Sequence, residues 1–203
     1  MKLGTYKVTL MAVGLIGVLL LASPALGFIL RFPSGEQFSE LYLLGPTLML
    51  DGYPSTLNEA KNYLVYAAVT NHLGSSAYYV LYVKFGNEAD LSPNPSSGNP
   101  SPLQTLYESR FFLADGGTWQ DAINFSISGV VYPFSNENLS SNQSTVGSIT
   151  INGVSFEVDK PAAWDANASG FYYQLIFELS LYNPRSGSIE YDNRYASLWL
   201  HLG

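Results

Sequence analysis

Three features of this 203-residue sequence predict an all-β fold. Short runs of β-branched and aromatic residues recur along the chain, clusters of Gly, Pro, Asn and Ser separate them, and no long segment has helical periodicity. About seven such runs follow residue 60, which is the strand number of an immunoglobulin-type sandwich. We therefore expect an antiparallel β-sandwich of immunoglobulin-like architecture, preceded by one N-terminal transmembrane helix.

The helix prediction rests on residues 8–30, which carry no charge and lie between Lys7 and Arg31. As a helix, this segment would be about 35 Å long, whereas a hydrocarbon core is about 30 Å thick. Its basic start, its apolar run and the small residues Ala25 and Gly27 are also typical of an export signal. The segment is therefore either a membrane anchor or a cleaved leader.

We expect a retained anchor over residues 1–30 and an extracytoplasmic domain over residues 31–203, with cleavage of residues 1–27 as the alternative. Lys2 and Lys7 precede the apolar segment. Positive residues stay on the cytoplasmic side of a membrane. The prediction is therefore a plasma-membrane protein with a cytoplasmic N-terminus, whose first partner is the lipid bilayer.

The composition excludes several classes of function. Acidic residues outnumber basic ones by 16 to 9, which argues against nucleic acid as a partner, because phosphate binding needs Lys and Arg. Only 12% of residues are charged, where about 25% is usual, and such a surface changes little in an acidic exterior. The absence of cysteine excludes disulfides, thiol nucleophiles and cysteine-based metal sites.

The first strands are predicted at residues 62–71 and 77–85, which are rich in β-branched and aromatic residues. In the second of these, Lys84 lies on the face opposite the alternating apolar residues. The Pro-, Asn- and Ser-rich segment 86–102 is predicted to be an exposed loop. A further strand follows at 106–114, and a turn comes after it.

The clearest local signal is Asn152-Gly153 between two alternating runs, which favours a two-residue hairpin turn. That register predicts two cross-strand pairs on one buried face: Ile151 with Val154, and Ile149 with Phe156. Two last strands are predicted at 171–182 and 194–202, each with one apolar face. Residues 56–64 are the only segment that suggests a helical turn.

The sequence contains no pattern typical of a catalytic or metal site. His72 is predicted in a turn, and His201 on the strand face opposite Leu200 and Leu202, without a ligand spacing. Two carboxylate pairs can be considered for glycoside chemistry, but acidic residues near turns are common: Asp115 with Asp121, and Glu157 with Asp159. We expect no catalytic residue, no metal, no cofactor and no enzyme activity.

Aromatic residues and glycosylation sequons are the remaining candidates. Five aromatic residues could be exposed: Tyr78, Tyr82, Trp119, Trp164 and Tyr172. They could form a platform on which sugars stack, but the favoured interpretation is that they cover a sheet face or the ends of the sandwich. Four sequons occur after the apolar segment: Asn124, Asn138, Asn142 and Asn167. Asn138 and Asn142 lie in a polar loop, whereas Asn124 is predicted to be inaccessible in a strand.

The stretches "FSELYLLGP", "DGYPSTL" and "AAVTNHLG" resemble the largely archaeal domain-of-unknown-function 1616 family. The resemblance covers residues 36–85 and 171–202, and it implies a membrane-attached β domain outside the cell. It implies no catalytic residue. Eight residues carry the resemblance: Phe38, Tyr42, Gly45, Pro46, Tyr53, Pro54, Asn71 and His72. Structural roles are enough to explain them, such as a strand end at Gly45-Pro46 and a left-handed turn at Asn71.

These observations favour a non-catalytic, single-span surface protein. Its sandwich would be an accessory or scaffolding subunit that packs against a membrane protein or an envelope layer. A module that binds sugars or peptides is the first alternative, and a concave groove with an aromatic row would favour it. A secreted filament subunit is the second alternative, and it requires cleavage of the N-terminal segment.

Overall fold

The computed structural model describes residues 6–8, 10–16, 36–132, 143–167 and 169–202. The chain divides into two compact units, residues 1–37 and 38–203. In the first unit, residues 6–8 and 10–16 are helical. Within the described part of the chain, no helix has both the length and the apolar character of a membrane span. Most of the predicted span, from residue 17 to residue 30, lies outside the described residues.

The described residues of the second unit form nine strands, which confirms the all-β prediction. Their bounds are β1 (Phe38–Leu44), β2 (Tyr63–His72), β3 (Ala77–Asn87), β4 (Thr105–Leu113), β5 (Thr118–Val131), β6 (Gln143–Ile151), β7 (Val154–Asp165), β8 (Gly170–Asn183) and β9 (Ser188–Leu202).

All pairings between these strands are antiparallel, and they build two layers. Sheet 1 has the order β1-β2-β5-β6-β7, and sheet 2 has the order β4-β3-β8-β9. The last residues of β7 leave sheet 1 and pair with β8, where Trp164 faces Phe171. The two layers are therefore joined along one edge.

Alternate residues of both sheets point inward and form one hydrophobic core. In β3 the predicted inner face is confirmed, because Tyr79, Leu81, Val83 and Phe85 are all buried. The predicted inner face of the last strand is confirmed at three leucines of β9, which are buried: Leu198, Leu200 and Leu202.

The Asn152-Gly153 turn is confirmed, with φ angles of 47° and 83°. Both predicted cross-strand pairs are present. Ile149 and Ile151 are buried as predicted, but Val154 is exposed. Over most of its length β7 pairs only with β6 and is an edge strand of sheet 1.

The predicted helical turn at 56–64 is wrong. Residues 55–57 instead run beside β9. The N–H of Leu57 donates to the carbonyl of His201 at 2.7 Å, and the N–H of His201 donates to the carbonyl of Ser55 at 2.7 Å. Leu57 is buried, so its side chain fixes this segment against the sandwich. Tertiary burial overrides the weak helical propensity of the segment.

The predicted exposed loop is wrong in part. β3 extends to Asn87, and residues 88–104, which we call the strap, fold back over the outer face of sheet 2. Pro93 and Ser101 of the strap are buried. Lys84 points away from the core as predicted, but the strap covers it.

Candidate functional site

The outer face of sheet 2 carries many aromatic side chains, and we call it the aromatic face. The register places Tyr78 beside Phe112, with ring centroids 6.4 Å apart, while their neighbours Tyr79 and Phe111 point into the core. Phe112 is 67% exposed and Trp199 is 47% exposed. The alternation of the four strands assigns eight aromatic residues to this face: Tyr78, Tyr82, Phe112, Tyr172, Tyr182, Tyr191, Tyr195 and Trp199.

The structure separates the five aromatic residues that the sequence singled out. Tyr78, Tyr82 and Tyr172 lie on the aromatic face. Trp119 stacks on Phe111 of the opposite sheet at 3.8 Å, and Trp164 meets Phe171 edge to face; both indoles pack against the core. These two tryptophans therefore close the sandwich.

A buried ion pair fixes the strap across the centre of the aromatic face. Lys84 Nζ lies 2.7 Å from Glu178 Oε2, and the two side chains are only 7% and 2% exposed. The carbonyl of Ser101 accepts from Lys84 Nζ at 2.6 Å, and its N–H donates to Glu178 Oε1 at 2.8 Å. Each charge therefore has a charge-assisted hydrogen bond to the strap backbone in addition to its partner. Sequence periodicity placed Lys84 correctly but contained no signal for this burial.

The connection between β1 and β2 forms a second feature, with a cleft of about 450 Å³. Residues 47–51, which we call the tip, stand at its rim and expose Leu48, Met49 and Leu50. The cleft is lined by nine residues: Pro46, Gly52, Pro54, Ser55, Thr56, Lys61, Asn62, Tyr63 and Leu64.

Four residues that carry the family resemblance build this connection. Pro46 and Pro54 line the cleft. The hydroxyl of Tyr53 donates to the carbonyl of Leu43 at 2.8 Å. A Cβ atom on Gly45 would lie 1.9 Å from the carbonyl oxygen of Asp51, so only glycine fits there.

Three others lie at the opposite end of the same strand pair, and Tyr42 lies between the two ends, opposite Ala68. Phe38 stacks on the ring of His72 at 4.8 Å, and His72 Nε2 lies 3.6 Å from Glu40. His72 is the last residue of β2, so its predicted turn position is wrong.

Asn71 was predicted to adopt a left-handed conformation in a turn, but it has a different structural role. It is buried within β2, and Gly74 is the residue with a positive φ in the following turn. Its amide donates to the carbonyls of Ser75 and Leu113, and its Oδ1 accepts from the hydroxyl of Tyr79 and the N–H of Leu73. Asn71 therefore holds the β2–β3 turn against both sheets.

The candidate catalytic carboxylates have structural partners or point to solvent. Asp115 accepts from the N–H of Gly74, and Asp121 accepts from Tyr107 and Ser109. Glu157 and Asp159 are exposed on β7. Among the described residues, no group of three His, Asp or Glu side chains could hold a metal ion.

The second histidine lies where the sequence predicted it. His201 lies on the outer side of β9, 5.2 Å from the ring of Tyr172, while its neighbours Leu200 and Leu202 are buried. Its Nε2 is 3.3 Å from the carbonyl oxygen of Ser169.

The sequons differ from expectation in one respect. Asn124 lies in β5 but is exposed, because it points away from the core between the buried Ile123 and Phe125. Asn167 is exposed in the turn between β7 and β8. Asn138 and Asn142 lie outside the described residues. Glycosylation at all four positions stays a prediction.

A polar network joins the layers at the β1 end of the sandwich, and sequence patterns contained no signal for it. The Ser39 hydroxyl lies 3.0 Å from that of Tyr79, which donates to Asn71. Burial raises the pKa of Asp192 above its ordinary value, although hydrogen bonding to Ser39 and the charge of Arg194 act in the opposite direction. The Oδ2 atom of Asp192 is buried without a partner among the described residues.

Two solved structures are similar to this chain at low sequence identity. A β-glucosidase from Listeria innocua in complex with glucose has 11% identity and a TM-score of 0.38, over 82% of this chain and 16% of that one. A calcium-binding mutant of Bacteroides uniformis β-glucuronidase 2 has 11% identity and a TM-score of 0.34, over 78% of this chain and 12% of that one. This chain thus spans less than a fifth of either enzyme, and similarity at this level carries no argument about activity. Curated proteins give no significant match.

One family model matches, and its description is domain of unknown function (DUF1616). The match covers residues 33–131, which include all of β1 to β5. The resemblance at residues 36–85 lies within it, whereas the resemblance at residues 171–202 lies outside. The resemblance of this chain to the DUF1616 family is therefore confirmed over residues 33–131.

Proposed function

We propose that this protein is a non-catalytic, single-span surface protein whose exterior sandwich is an accessory or scaffolding subunit of a membrane or envelope complex. Its N-terminus lies in the cytoplasm, residues 1–30 form the anchor in the plasma membrane, with the uncharged segment 8–30 as the span, and residues 31–203 lie outside. The exterior unit is an immunoglobulin-like sandwich, in which the β2–β5 pair and the β3-β8-β9 order correspond to the B–E pair and the C-F-G order of that architecture.

The composition of the aromatic face is the main support for this proposal. Protein interfaces are enriched in Tyr, Trp, Phe and Arg and depleted in Lys and Glu. The face combines exposed Phe112, Tyr182 and Trp199 with the guanidinium of Arg110, while its buried charges, Lys84 and Glu178, neutralise each other. The aromatic rings lie on the strands of sheet 2, and the cleft at the β1–β2 connection is lined by other residues. This arrangement favours contact with a broad protein surface.

The first unit supports the membrane assignment. Its described helical residues expose apolar side chains to their surroundings, including Val8, Leu10, Met11 and Leu15. Exposed apolar patches of this kind mark contact with a membrane or a partner. The uncharged segment continues to Leu30.

A ligand-binding module is the second candidate, and the cleft favours it. The cleft volume of about 450 Å³ is within the range of small-molecule sites, about 300–1,000 Å³. Tyr63 and Leu64 supply apolar wall, and Ser55, Thr56 and Lys61 supply polar groups. A saccharide or a short peptide is the ligand class that such a mixture would bind.

Site-specific photo-crosslinking in native membranes tests the scaffold proposal. A photoreactive aromatic residue replaces Phe112 or Trp199 in the full chain, and a control probe replaces Val154, which is exposed on the opposite sheet. We expect the first two probes to give a defined product with one membrane or envelope protein, and the control to give none. Equal products from all three positions, or none from any, would contradict the proposal.

The N-terminal peptide of the same purified protein tests the anchor. Mass spectrometry that detects the peptide from Thr5 onward supports a retained span. A chain that begins near Phe28 and is recovered outside the membrane would support the secreted ligand-binding or filament alternative instead.

A further inference from the structure

The tip exposes three consecutive large apolar side chains, although the backbone that carries them is tightly held. Leu50 is 72% exposed. The N–H of Gly45 donates to the carbonyl of Met49 at 2.7 Å, and the N–H of Leu48 donates to that of Gly45 at 2.9 Å. Preorganised apolar groups of this kind lower the conformational cost of binding.

The backbone of the tip is also strained. Leu48 has a φ angle of 62°, a left-handed conformation that is unfavourable for a residue with a Cβ atom. Such strain persists only where surrounding structure imposes it, and it clusters at functional sites. The strain and the exposure of Leu48 thus point to a role for the tip outside the fold of its own chain.

The tip and the cleft have complementary chemistry. The tip ends in Asp51, and the wall of the cleft contains Lys61, whose Nζ lies 5.3 Å from the ring centre of Tyr63. Neither Asp51 nor Lys61 has an ion-pair partner among the described residues. An apolar projection with an acid therefore lies beside a recess of mixed apolar and polar lining that contains a base.

Both features belong to one surface, because Pro46 and Gly52 flank the tip and also line the cleft. A two-fold dimer needs one patch that is complementary to itself. We propose that the tip of each chain inserts into the cleft of a second copy, so that Asp51 of one copy lies against Lys61 of the other and the apolar side chains of both tips are buried. This association is independent of the proposed scaffold function and of the aromatic face.

Charge reversal tests the pairing. The full-length variants D51K and K61D are prepared in mild detergent, and their association is measured by analytical ultracentrifugation. Each variant alone places like charges together at both contacts, so we expect each dimer to be weakened by about tenfold or more. A mixture of the two variants places opposite charges at both contacts, so we expect the mixture to dimerise like the unchanged protein. E88K, which changes an exposed carboxyl on the strap, is the control and should dimerise normally.

Truncation of an apolar side chain tests the tip by itself. Leu50→Ser is compared with Leu91→Ser, because the two leucines are 72% and 73% exposed and Leu91 lies on the strap. We expect Leu50→Ser to weaken the dimer by about tenfold and Leu91→Ser to leave it unchanged.

Three results would overturn the proposal. The unchanged protein could remain a monomer over the whole micromolar range. The dimer could persist equally in D51K and K61D, which would place the contact elsewhere, for example in the N-terminal segment. Leu50→Ser could lower binding to lipid vesicles while the oligomeric state stays constant, which would assign the tip to the membrane. Photo-crosslinking from the aromatic face is unaffected by each of these results.

Discussion

Gly45 shows how a single missing side chain shapes the β1–β2 connection. The chain turns so tightly there that the carbonyl of Asp51 occupies the space of a Cβ atom. Gly52 differs, because its φ angle is 66° but a Cβ atom would meet nothing within 4 Å. The two glycines of one loop are therefore required for different reasons, steric in the first case and conformational in the second.

We expect Gly45→Ala to lower the free energy of unfolding by about 3 kcal/mol or more, because the backbone of the connection has to move. Gly52→Ala should cost about 1 kcal/mol, the ordinary cost of a left-handed alanine. Urea unfolding of both variants measures the difference. Equal losses of unfolding free energy in the two variants would show that the close contact between Gly45 and the carbonyl of Asp51 does not affect stability.

The sequence predicted single residues well where one strand decides their environment. Alternation placed Leu200, Leu202 and His201 on the correct faces. The strand at Asn124 was predicted correctly, but the expectation that a strand position is inaccessible was wrong, because only one of the two faces of this strand is buried. The sequence also contained no signal for the burial of Asp192, whose carboxyl group is hydrogen-bonded to Ser39, a residue far away in sequence.

At the scale of elements, the strap depends on the Lys84–Glu178 pair. The pair is almost completely buried, and the backbone of Ser101 binds both charges. Removal of one partner from a buried pair leaves an uncompensated charge, which costs more than the pair contributes. The strap is therefore the element most sensitive to a single substitution on the outer face.

We expect Lys84→Met to lower the free energy of unfolding by about 3–5 kcal/mol. The double variant Lys84→Met/Glu178→Leu should recover part of this loss, because no unpaired charge remains. Arg110→Met is the matched control: the Arg110–Glu108 pair lies on the same sheet face but is about half exposed, and its loss should cost less than about 1 kcal/mol. Urea unfolding and limited proteolysis of the strap measure the three variants. A loss in Lys84→Met no greater than in Arg110→Met would contradict the prediction.

The elements themselves were largely predictable. The runs at 62–71 and 77–85 and the Asn152-Gly153 hairpin correspond closely to β2, β3 and the β6–β7 turn. The strap was not predictable, because its Pro, Asn and Ser content is that of an exposed loop. Its cover of sheet 2 depends on Glu178, which is 77 residues from Ser101 in sequence.

At the scale of the whole molecule, the charge distribution sets how stability changes with pH. The folded-state pKa of Asp192 is raised by burial, so its contribution to stability is fully present below the unfolded-state pKa and is lost as pH rises through the folded-state value. Hydrogen bonds from Asn183, Ser186 and Ser188 lower the pKa of Glu190, so its contribution has the opposite sign. Asp192 therefore favours the folded state under acidic conditions, in the direction that the low charge content suggests.

We expect Asp192→Asn to flatten the fall in stability that accompanies rising pH above the unfolded-state pKa of Asp, about 4, because no buried carboxylate charge can form in the variant. Urea unfolding of the full chain at several pH values measures this effect. Glu88→Gln, which alters an exposed carboxyl, should retain the pH dependence of the unchanged protein. A pH profile of Asp192→Asn that parallels the unchanged protein would contradict the assignment.

Local sequence patterns were enough to predict the strand type, most inward faces, the hairpin turn, the uncharged N-terminal segment and the resemblance to DUF1616. Each of these depends on residues that are neighbours in the chain, so their pattern is visible without a fold. Three features became visible only in the folded chain: Lys84 is buried, Trp119 and Trp164 close the core, and the tip and the cleft share one surface. These features arise from contacts between strands that are distant in sequence, and burial and complementarity are properties of such contacts.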